Sequence, residues 1–535
     1  MQPVPSLAEL RKMNIESLKK TSIDIRKFIL QSTKEKAGHL ASSIGVAELT
    51  LILHTALDTP NDILLWDVGH QAYIHKVITG RADVFALNRK KNGPSGFPNR
   101  RESEFDPFGV GHSSTALSAL IGFARADKLK GIKRNRVAVV GDGAFTGGML
   151  FEALNDAGAN NDDVLLIIND NGFAIEENVG ALHEYGQYEA FCKAIGWNFL
   201  EGNINGNNIS ELDIAIKKAI NIKGPRVLHI NTYRPNIEEL GLSENQANKD
   251  NFQTHFADKL IELAHLDNRI VALTAAMATG CSLDVFRESF PNRFFDGGIA
   301  EQHVLTQAAG MAAAGMRPVV NFYSTFSQRA VDQWIHDVAL QNLPVILCLD
   351  RSGIVGEDGA THHGVFDLAL FSSIPNTHIW APRNNSELRN AIVDAIKYSG
   401  PSIIRYPKGK EKKLPKALER KGEMDILQKG TGTVHWCLGP TISDALAFAK
   451  STDSVIDLRK AKPIDFRILE VFSKNHYKWI VWEDAQVIGG VGSTLALWLA
   501  KNNRNNIQLS LRGYGDSFIG HGNSKDLIEQ HRNKI

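Results

Sequence analysis

VAVVGDGAFTGGMLFEALNDAG (137–158) and VLLIINDN (164–171) are the two neighbouring stretches that decide the fold. Each contains a run of apolar, largely β-branched residues without polar alternation, which is typical of a strand buried on both faces of a parallel sheet. A segment long enough for a helix lies between the two runs. The pair therefore predicts a strand–helix–strand unit with parallel strands.

The same pattern recurs along the rest of the chain, and segments long enough for helices separate most of the runs. Repeated alternation of this kind predicts α/β layers, and the charged, glycine-poor stretch near residues 5–35 predicts a helix. The further strand-like runs are RVLHINT (226–232), IVALTAA (270–276), RPVVNFY (317–323), PVILCLD (344–350), SIIRYP (402–407), SVIDLRK (454–460) and WIVWEDA (479–485).

The length of the chain, 535 residues, exceeds what one hydrophobic core supports and predicts three domains. The polar, turn-rich stretch PNIEELGLSENQANKD ends at residue 250 and indicates a linker over 236–250. The lysine-rich run 408–421 indicates a second boundary. The predicted domains are therefore 1–235, 251–410 and 411–535.

Composition excludes several classes of function. The formal net charge is +1, so no strong field points to nucleic acid or to a membrane surface. No apolar run reaches the ~18 residues that a membrane span needs, and the N-terminal segment lacks an export signal. The four scattered cysteines show no metal-binding spacing and indicate reduced thiols, so we expect a cytoplasmic protein without nucleic-acid or membrane partners.

The first chemical motif is Gly141-Asp142-Gly143, placed directly after the strand VAVVG. A glycine turn at a strand end lets backbone amides approach phosphate oxygens. Asn171 follows 29 residues after Asp142, at the end of the next strand. Because adjacent parallel strands share an edge, both side chains should lie there and offer oxygen ligands to Mg²⁺ and a diphosphate.

This segment resembles the diphosphate-binding motif of the transketolase-like thiamine diphosphate enzymes. The resemblance implies three doubly wound α/β domains: a diphosphate-binding domain (1–235), a pyrimidine-binding domain (251–410) and a transketolase-like C-terminal domain (411–535). It also implies that Mg²⁺ is held by Asp142, Asn171 and the Phe173 carbonyl. The residues implied to bind the cofactor are His70, His112, Ser113, Ser114, Gly141, Asp142, Gly143, Ala144, Asn171, Glu301 and Phe326.

A second motif, FFDGGIAEQ (294–302), contains Glu301. The chemistry needs a carboxylate hydrogen-bonded to the aminopyrimidine of the cofactor, and the segment resembles the family's "GIAEQ". Taken alone, Glu301 could simply be an acidic residue that stabilises the N-terminus of a helix. Together with the Asp142 motif, it is expected to be the activating residue. Phe322 or Phe326 would stack on the pyrimidine, although either could be ordinary core.

Longer strings resemble one branch, the 1-deoxy-D-xylulose-5-phosphate synthase family. Among them are WDVGHQAYIHKVITGR (66–81), DRSGIVGEDGATHHGVFDL (350–368) and RYPKG (405–409). The resemblance implies an enzyme, a transferase, that decarboxylates pyruvate and joins the two-carbon unit to D-glyceraldehyde 3-phosphate. The product, 1-deoxy-D-xylulose 5-phosphate, is a precursor of isoprenoids, thiamine and pyridoxal. Family members are usually homodimers, so a homodimer is expected.

Histidines and arginines complete the expected site. His39, His70 and His112 each follow a glycine, and we expect them on turns at strand ends, where they could transfer protons. Arginine forks suit a phosphate dianion. The expected catalytic residues are Glu301, His39, His70 and His362, and the expected substrate-binding residues are Tyr323, Arg329, Arg351, Asp358, His362 and Arg405.

Three departures from the family keep other reactions open. The chain after NVGAL (178–182) lacks a long insertion, residues 205–208 (NGNN) replace "DGHD", and residues 231–235 (NTYRP) replace a lysine-and-glycine segment. The alternative is a divergent transketolase-type two-carbon transferase with another donor or phosphosugar acceptor. A subunit of a 2-oxo acid dehydrogenase and a non-catalytic paralogue that only binds cofactor are further hypotheses.

Overall fold

The structure is a computed structural model that describes residues 4–33, 38–174, 176–236, 239–240 and 250–532. It divides into two compact units. The first comprises residues 1–246 with 298–300, and the second comprises residues 247–297 with 301–535. Most of the predicted linker, residues 237–238 and 241–249, lies outside the described residues.

The first unit is built on one sheet of five parallel strands in the order β1-β2-β3-β5-β4. Non-consecutive neighbours require helical crossovers, as parallel pairing demands. The strands are β1 (Ile63–Trp66), β2 (Arg136–Gly141), β3 (Leu165–Asp170), β4 (Asn198–Asn205) and β5 (Arg226–Asn231).

Helices cover both faces of this sheet. Alternate residues of β2 enter two different cores: Val137 and Val139 pack in one cluster, and Ala138 and Val140 in the other. Burial on both faces explains the unbroken apolar runs of the sequence. The helices are α1 (Leu7–Leu10), α2 (Ile15–Ser32), α3 (Leu40–Gly45), α4 (Ala47–Ala56), α5 (Tyr73–Lys76), α6 (Ala116–Lys130), α7 (Gly148–Asn160), α8 (Ala181–Glu184), α9 (Tyr188–Ala194) and α10 (Ile209–Asn221).

The second unit contains two sheets. Their strands are β6 (Ile270–Thr274), β7 (Phe294–Asp296), β8 (Arg317–Tyr323), β9 (Ile346–Asp350), β10 (His378–Trp380), β11 (Ser402–Arg405), β12 (Glu419–Lys421), β13 (Met424–Gln428), β14 (Val434–Cys437), β15 (Ser454–Asp457), β16 (Lys460–Lys462), β17 (Lys478–Gln486) and β18 (Gln508–Tyr514). One sheet has the order β16-β10-β11-β9-β8-β6-β7 and the other β12-β13-β15-β14-β17-β18.

The helices of the second unit lie between these strands in sequence. They are α11 (Phe252–Leu266), α12 (Asp284–Ser289), α13 (Glu301–Ala313), α14 (Val331–Gln333), α15 (Asp367–Phe371), α16 (Asn385–Lys397), α17 (Ile442–Phe448), α18 (Phe466–Ser473), α19 (Val491–Lys501) and α20 (Ser524–Arg532). The three sheets and their helical crossovers confirm the predicted α/β fold class.

All nine predicted strand runs form strands, but the structure adds strands that the sequence did not indicate. In the last sheet β12 and β13 run antiparallel to their neighbours. The short strand β16, which belongs to the C-terminal part of the chain, pairs antiparallel with β10 of the other sheet. The C-terminal part therefore completes one edge of the sheet β16-β10-β11-β9-β8-β6-β7.

No described helix combines the length and the apolarity needed to cross a lipid bilayer. The four cysteines are buried and unpaired, as their scattered spacing predicts.

Buried ion pairs tie the two sheets of the second unit together. The Nη1 atom of Arg383, just after β10, donates to Asp425 of β13 and to Asp457 of β15, at 2.6 Å each. Arg459 donates through Nε to Glu387 of α16, at 2.9 Å. Burial raises the pKa of Asp457 to about 6, against the attraction of Arg383. The guanidinium of Arg383 is thus what permits two carboxylates to be buried there.

Replacing Arg383 by Met is expected to lower the free energy of unfolding by about 3–5 kcal/mol, because Asp425 and Asp457 would lose a buried partner. Urea titration followed by tryptophan fluorescence measures the change. The matched control is Arg467→Met, whose exposed guanidinium pairs with Asp465; it should cost far less than Arg383→Met, because exposed ion pairs contribute little to stability. Equal losses in the two variants would contradict this account.

Candidate active site

Asp142 lies at the carboxyl end of β2, on a 3₁₀ turn that spans Asp142–Thr146. Its carboxylate is buried; Oδ2 accepts a hydrogen bond from Asn178 Nδ2 at 3.0 Å, and Oδ1 forms no hydrogen bond. Burial and the charge of Asp170 raise the pKa of Asp142 to about 7, against the Asn178 amide and the Asn171 backbone N–H. A nearby cation would stabilise the ionised form of this buried carboxyl group.

Asn171 follows β3, which pairs in parallel with β2 in the register Gly141↔Asn169. The two strand ends therefore meet at one edge, as the motif spacing predicts. The side-chain oxygen Oδ1 of Asn171 accepts from the Phe173 backbone N–H at 3.0 Å, which shapes the turn that exposes Phe173. The backbone carbonyl oxygens of this turn can serve as ligands of a hard metal ion at this edge of the sheet.

A further acid and a histidine stand beside Asp142. One ligand atom from each of Asp142, Asp170 and His183 lies within 4.8 Å of the other two. Asp170 ends β3 and accepts from His229 Nε2 at 3.0 Å. Although burial acts to raise it, this hydrogen bond helps to hold the pKa of Asp170 below its ordinary value. Asp170 is therefore the ionised member of the acid pair.

His70 adjoins the same strand end. A Cβ built on Gly141 would lie 3.2 Å from Gln71 Nε2 and 3.8 Å from His70 Cε1. The rings of His39 and His70 meet edge to face at 6.2 Å. Burial, with smaller contributions from His39 and Arg234, lowers the pKa of His70 to about 3. His70 is therefore a neutral imidazole at pH 7.

The expectation that all three glycine-linked histidines lie at strand ends is wrong for two of them. Only His70 follows a strand, β1. His39 is the N-cap residue of α3, and His112 precedes α6 at Ala116. The reason is that glycine turns serve helix starts as well as strand ends, so the dipeptide alone does not separate them.

Ser113 and Ser114 are buried in the turn before α6. The backbone N–H of Ser114 donates to Asp67 Oδ1 at 2.7 Å, and its hydroxyl donates to the Ala144 carbonyl at 3.0 Å. Ser114 has a φ of 66°, a conformation that non-glycine residues adopt at some energetic cost. The bonds to Asp67 and Ala144 hold this turn against the 3₁₀ turn of Asp142.

Arg234 is a site residue that the motif analysis missed. Its guanidinium carbon stands 5.1 Å from the centre of the Phe173 ring. Burial lowers the pKa of Arg234 below its ordinary value, and the charge of Asp142 opposes that shift. The available signal was its position, because Arg234 follows β5, the parallel neighbour of β3. Tyr188, Asp170 and His183 were missed as well.

In the second unit, Glu301 begins α13 and is buried. Among the residues that the structure describes, none forms a hydrogen bond with its Oε2. Burial raises the pKa of Glu301 above its ordinary value, while the charge of Arg329 opposes the shift. A buried carboxyl oxygen without a partner is costly unless a ligand supplies one.

Four of the predicted residues of the second unit form one continuous stack. The Arg351 guanidinium lies over the Tyr323 ring at 3.8 Å. Tyr323 stacks on Phe326 at 5.5 Å, and the His362 ring meets the edge of Phe326 at 5.4 Å. Phe322, the other candidate aromatic, belongs to the core. The structure therefore favours Phe326 as the aromatic of the site.

The arginines differ in how they are held. Arg351 has a φ of 60°, and its Nη1 donates to Asp350 at 2.7 Å and to the Gly280 carbonyl at 3.0 Å. Arg405 is buried, and its Nε donates to Asp367 at 2.9 Å. Arg329 is partly exposed on the 3₁₀ turn Phe326–Ala330, and Asp358 is partly exposed before a second such turn.

Comparison with known families assigns a class to this geometry. The pyrimidine-binding domain of transketolase matches residues 249–412, and the C-terminal domain of transketolase matches residues 422–531. The family described as 1-deoxy-D-xylulose-5-phosphate synthase matches residues 1–194. The chain is thus a transketolase-like protein over most of its length.

Curated relatives narrow the class. The 1-deoxy-D-xylulose-5-phosphate synthase of Clostridium acetobutylicum is 39% identical over 97% of this chain and 95% of its own length. That of Carboxydothermus hydrogenoformans is 38% identical over 97% and 95%. Among solved structures, a split-gene transketolase in an inactive β4 tetramer is 27% identical over 53% of this chain and 93% of its own, with a TM-score of 0.47. The chain belongs to the 1-deoxy-D-xylulose-5-phosphate synthase family.

The alignment with the Clostridium relative runs over 592 positions, which exceeds the 535 residues of this chain. The relative therefore contains segments that this chain lacks, in agreement with the shortened connection expected after NVGAL.

Gly143→Ala is expected to lower the free energy of unfolding by about 1–3 kcal/mol, the usual cost of overpacking. A Cβ at Gly143 would lie 2.6 Å from Ala174 Cβ and 2.8 Å from Ala174 Cα, so the turn after Asn171 would have to move. Thermal unfolding of the purified variant measures the loss.

The matched control is Gly122→Ala in α6, where an added Cβ meets nothing within 4 Å. This variant should gain about 0.5–1 kcal/mol, because alanine loses less backbone entropy in a helix than glycine does. A Gly143→Ala protein as stable as the parent would show that Gly143 is not needed for close approach.

Proposed function

We propose that this chain is a thiamine diphosphate- and Mg²⁺-dependent synthase that decarboxylates pyruvate and condenses the two-carbon unit with D-glyceraldehyde 3-phosphate. The product would be 1-deoxy-D-xylulose 5-phosphate. The observation that carries the proposal is family membership over nearly the whole chain, at 39% identity to a curated synthase. The buried acids Asp142 and Glu301, each with an oxygen that lacks a partner, support it because each fits one part of such a cofactor.

Thiamine diphosphate supplies a thiazolium ring that stabilises the carbanion formed by decarboxylation. Asp142, Asn171 and the Phe173 carbonyl would hold the metal ion that binds the diphosphate, since oxygen ligands of this kind suit Mg²⁺. Gly141, Gly143 and Ala144 would present backbone to the phosphates. The partnerless Oδ1 of Asp142 is the atom that fits this role.

Glu301 would hold a proton at Oε2 and share it with the aminopyrimidine ring. Its buried position and raised pKa support this, because burial favours the protonated form of the carboxyl group, which can act as a hydrogen-bond donor. Phe326, stacked on Tyr323, would present an aromatic face to the same ring.

The histidines would divide the remaining proton transfers. With a pKa of about 3, His70 would orient substrate as a neutral imidazole and would not act as a cationic acid. Protonation of the new alkoxide would then fall to His39, His112 or His362.

The aldehyde's phosphate would bind the second unit. Arg351 keeps N–H donors beyond those that bond Asp350 and Gly280, and a guanidinium has five in all. Arg329, Asp358, Tyr323 and His362 would line the same pocket, and Arg405 would contribute from its fixed position beside Asp367. The homodimer and the cytoplasmic location stay predictions.

Glu301→Ala should lower the turnover number by about 10²–10⁴-fold, the range that a positioned acid contributes, and leave the far-ultraviolet circular dichroism unchanged. Release of carbon dioxide from labelled pyruvate measures turnover. Glu288→Ala, an exposed glutamate of α12, is the control and should retain full activity. Undiminished turnover in Glu301→Ala would remove Glu301 from the mechanism.

Product identification tests the reaction itself. With pyruvate and D-glyceraldehyde 3-phosphate, mass spectrometry should find a deoxypentulose phosphate in one-to-one ratio with carbon dioxide. A transketolase-type transferase would instead release no carbon dioxide from pyruvate and would require a ketose phosphate donor. That result would favour the alternative, to which the altered residues 205–208 and 231–235 point.

A further inference from the structure

His183 stands at the metal site without a role in the family motif. It lies on α8, in the shortened connection that follows NVGAL, and not on either strand end. One ligand atom from each of Asp142, Asp170 and His183 falls within 4.8 Å of the others. The short helix that follows Gly180 therefore places the imidazole of His183 beside Asp142, the acid that is expected to hold the metal.

Two atoms of this group are buried and lack partners. Oδ1 of Asp142 forms no hydrogen bond, although its side chain is 99% buried. Nδ1 of His183 is also shielded from solvent and forms none. Leaving a buried polar atom unpaired costs about 1–3 kcal/mol. Both atoms belong to side chains of one three-residue group whose ligand atoms lie within 4.8 Å of one another, so the group as a whole indicates a ligand.

The neighbours of the group resemble the support that metal ligands receive. Asn178 Nδ2 donates to the other oxygen of Asp142, at 3.0 Å. His229 Nε2 donates to Asp170, also at 3.0 Å. Hydrogen bonds of this kind orient ligands from outside the coordination sphere. Asp142 and Asp170 are therefore fixed in direction, and His183 supplies the remaining nitrogen.

We infer that His183 is a protein ligand of the metal ion at Asp142, and that it raises the affinity of the site for a divalent first-row transition ion such as Mn²⁺ relative to its affinity for Mg²⁺. The inference rests on the proposed function, because that function places a metal there. Mg²⁺ binds oxygen and holds its waters, whereas the first-row transition ions accept imidazole nitrogen more readily, with an affinity that rises from Mn²⁺ to Cu²⁺. Ligand atoms on octahedral bonds of about 2.1 Å lie about 3.0 Å apart when adjacent and about 4.2 Å apart when opposite, so the three side chains, whose ligand atoms lie within 4.8 Å of one another, would draw together around the ion.

The test uses the full-length protein freed of metal by chelation and supplied with thiamine diphosphate. Electron paramagnetic resonance and calorimetry measure the affinity for Mn²⁺ and Mg²⁺ in the parent, in His183→Ala and in His183→Gln. His336→Ala is the matched control, since this histidine is exposed and pairs only with Asp337. Thermal unfolding checks that each variant is folded.

The parent should bind Mn²⁺ at least about tenfold more tightly than Mg²⁺. His183→Ala should lose about tenfold or more of its Mn²⁺ affinity and less than about threefold of its Mg²⁺ affinity. Spin-echo modulation of bound Mn²⁺ should show a directly coordinated nitrogen in the parent and in His336→Ala, and none in the His183 variants. Absence of that nitrogen in the parent, or equal loss for both ions, would overturn the inference.

The two proposals can fail separately. A parent that makes the deoxypentulose phosphate with Mg²⁺ but shows no nitrogen bound to Mn²⁺ refutes the role of His183 and leaves the synthase function intact. A nitrogen-coordinated Mn²⁺ in a protein that forms no such product does the reverse.

Discussion

The repulsion between the buried carboxylate of Asp142 and the partly buried carboxylate of Asp170 is the constraint on which the site of the first unit depends. Parallel pairing of β2 with β3 brings both strand ends to one edge, so the fold itself forces the acids together. The structure separates their charge states: His229 favours the ionised form of Asp170, whereas burial and that charge raise the pKa of Asp142 to about 7. A divalent cation would offset the repulsion between the two carboxylates. A diphosphate could then bind to that cation beside the acids.

The sequence predicted the strands that create this constraint and missed the groups that respond to it. Apolar runs without alternation identify β2 and β3, because burial on both faces demands them, and the Asp142 motif follows from the strand end. The strand β1 escapes the same reasoning because it has only four residues, and β4 and β18 escape it because exposed residues interrupt their apolar ones. His183 could not be predicted, because its approach to Asp142 depends on how loops pack and not on local spacing, whereas the position of Arg234 just after β5 was a usable signal.

In the second unit, four of the predicted residues stack on one another, and the arginines are held with different freedom. Arg351, Tyr323, Phe326 and His362 stack in sequence, so the position of the aromatic face depends on the guanidinium beneath it. Arg405 is fixed by Asp367 and the Asp484 carbonyl. Asp484 lies on β17, in the sheet β12-β13-β15-β14-β17-β18, and Arg405 lies on β11, in the other sheet of this unit. The C-terminal sheet therefore helps to hold Arg405 in place. The C-terminal part of the chain, which shows no chemical motif of its own, therefore acts on the site through position.

The connection that follows NVGAL is expected to be shorter than in the family, and in this structure it places His183 beside the two acids. Tyr188, which starts α9, packs its ring against Phe145 at 5.2 Å and His229 at 5.0 Å. Those contacts anchor the far end of the connection beside the acids, and Gly180 begins it from the near end. With both ends fixed and few residues between them, α8 has little choice of place. The placement of α8 thus brings one ligand atom of His183 within 4.8 Å of a ligand atom of Asp142 and of Asp170.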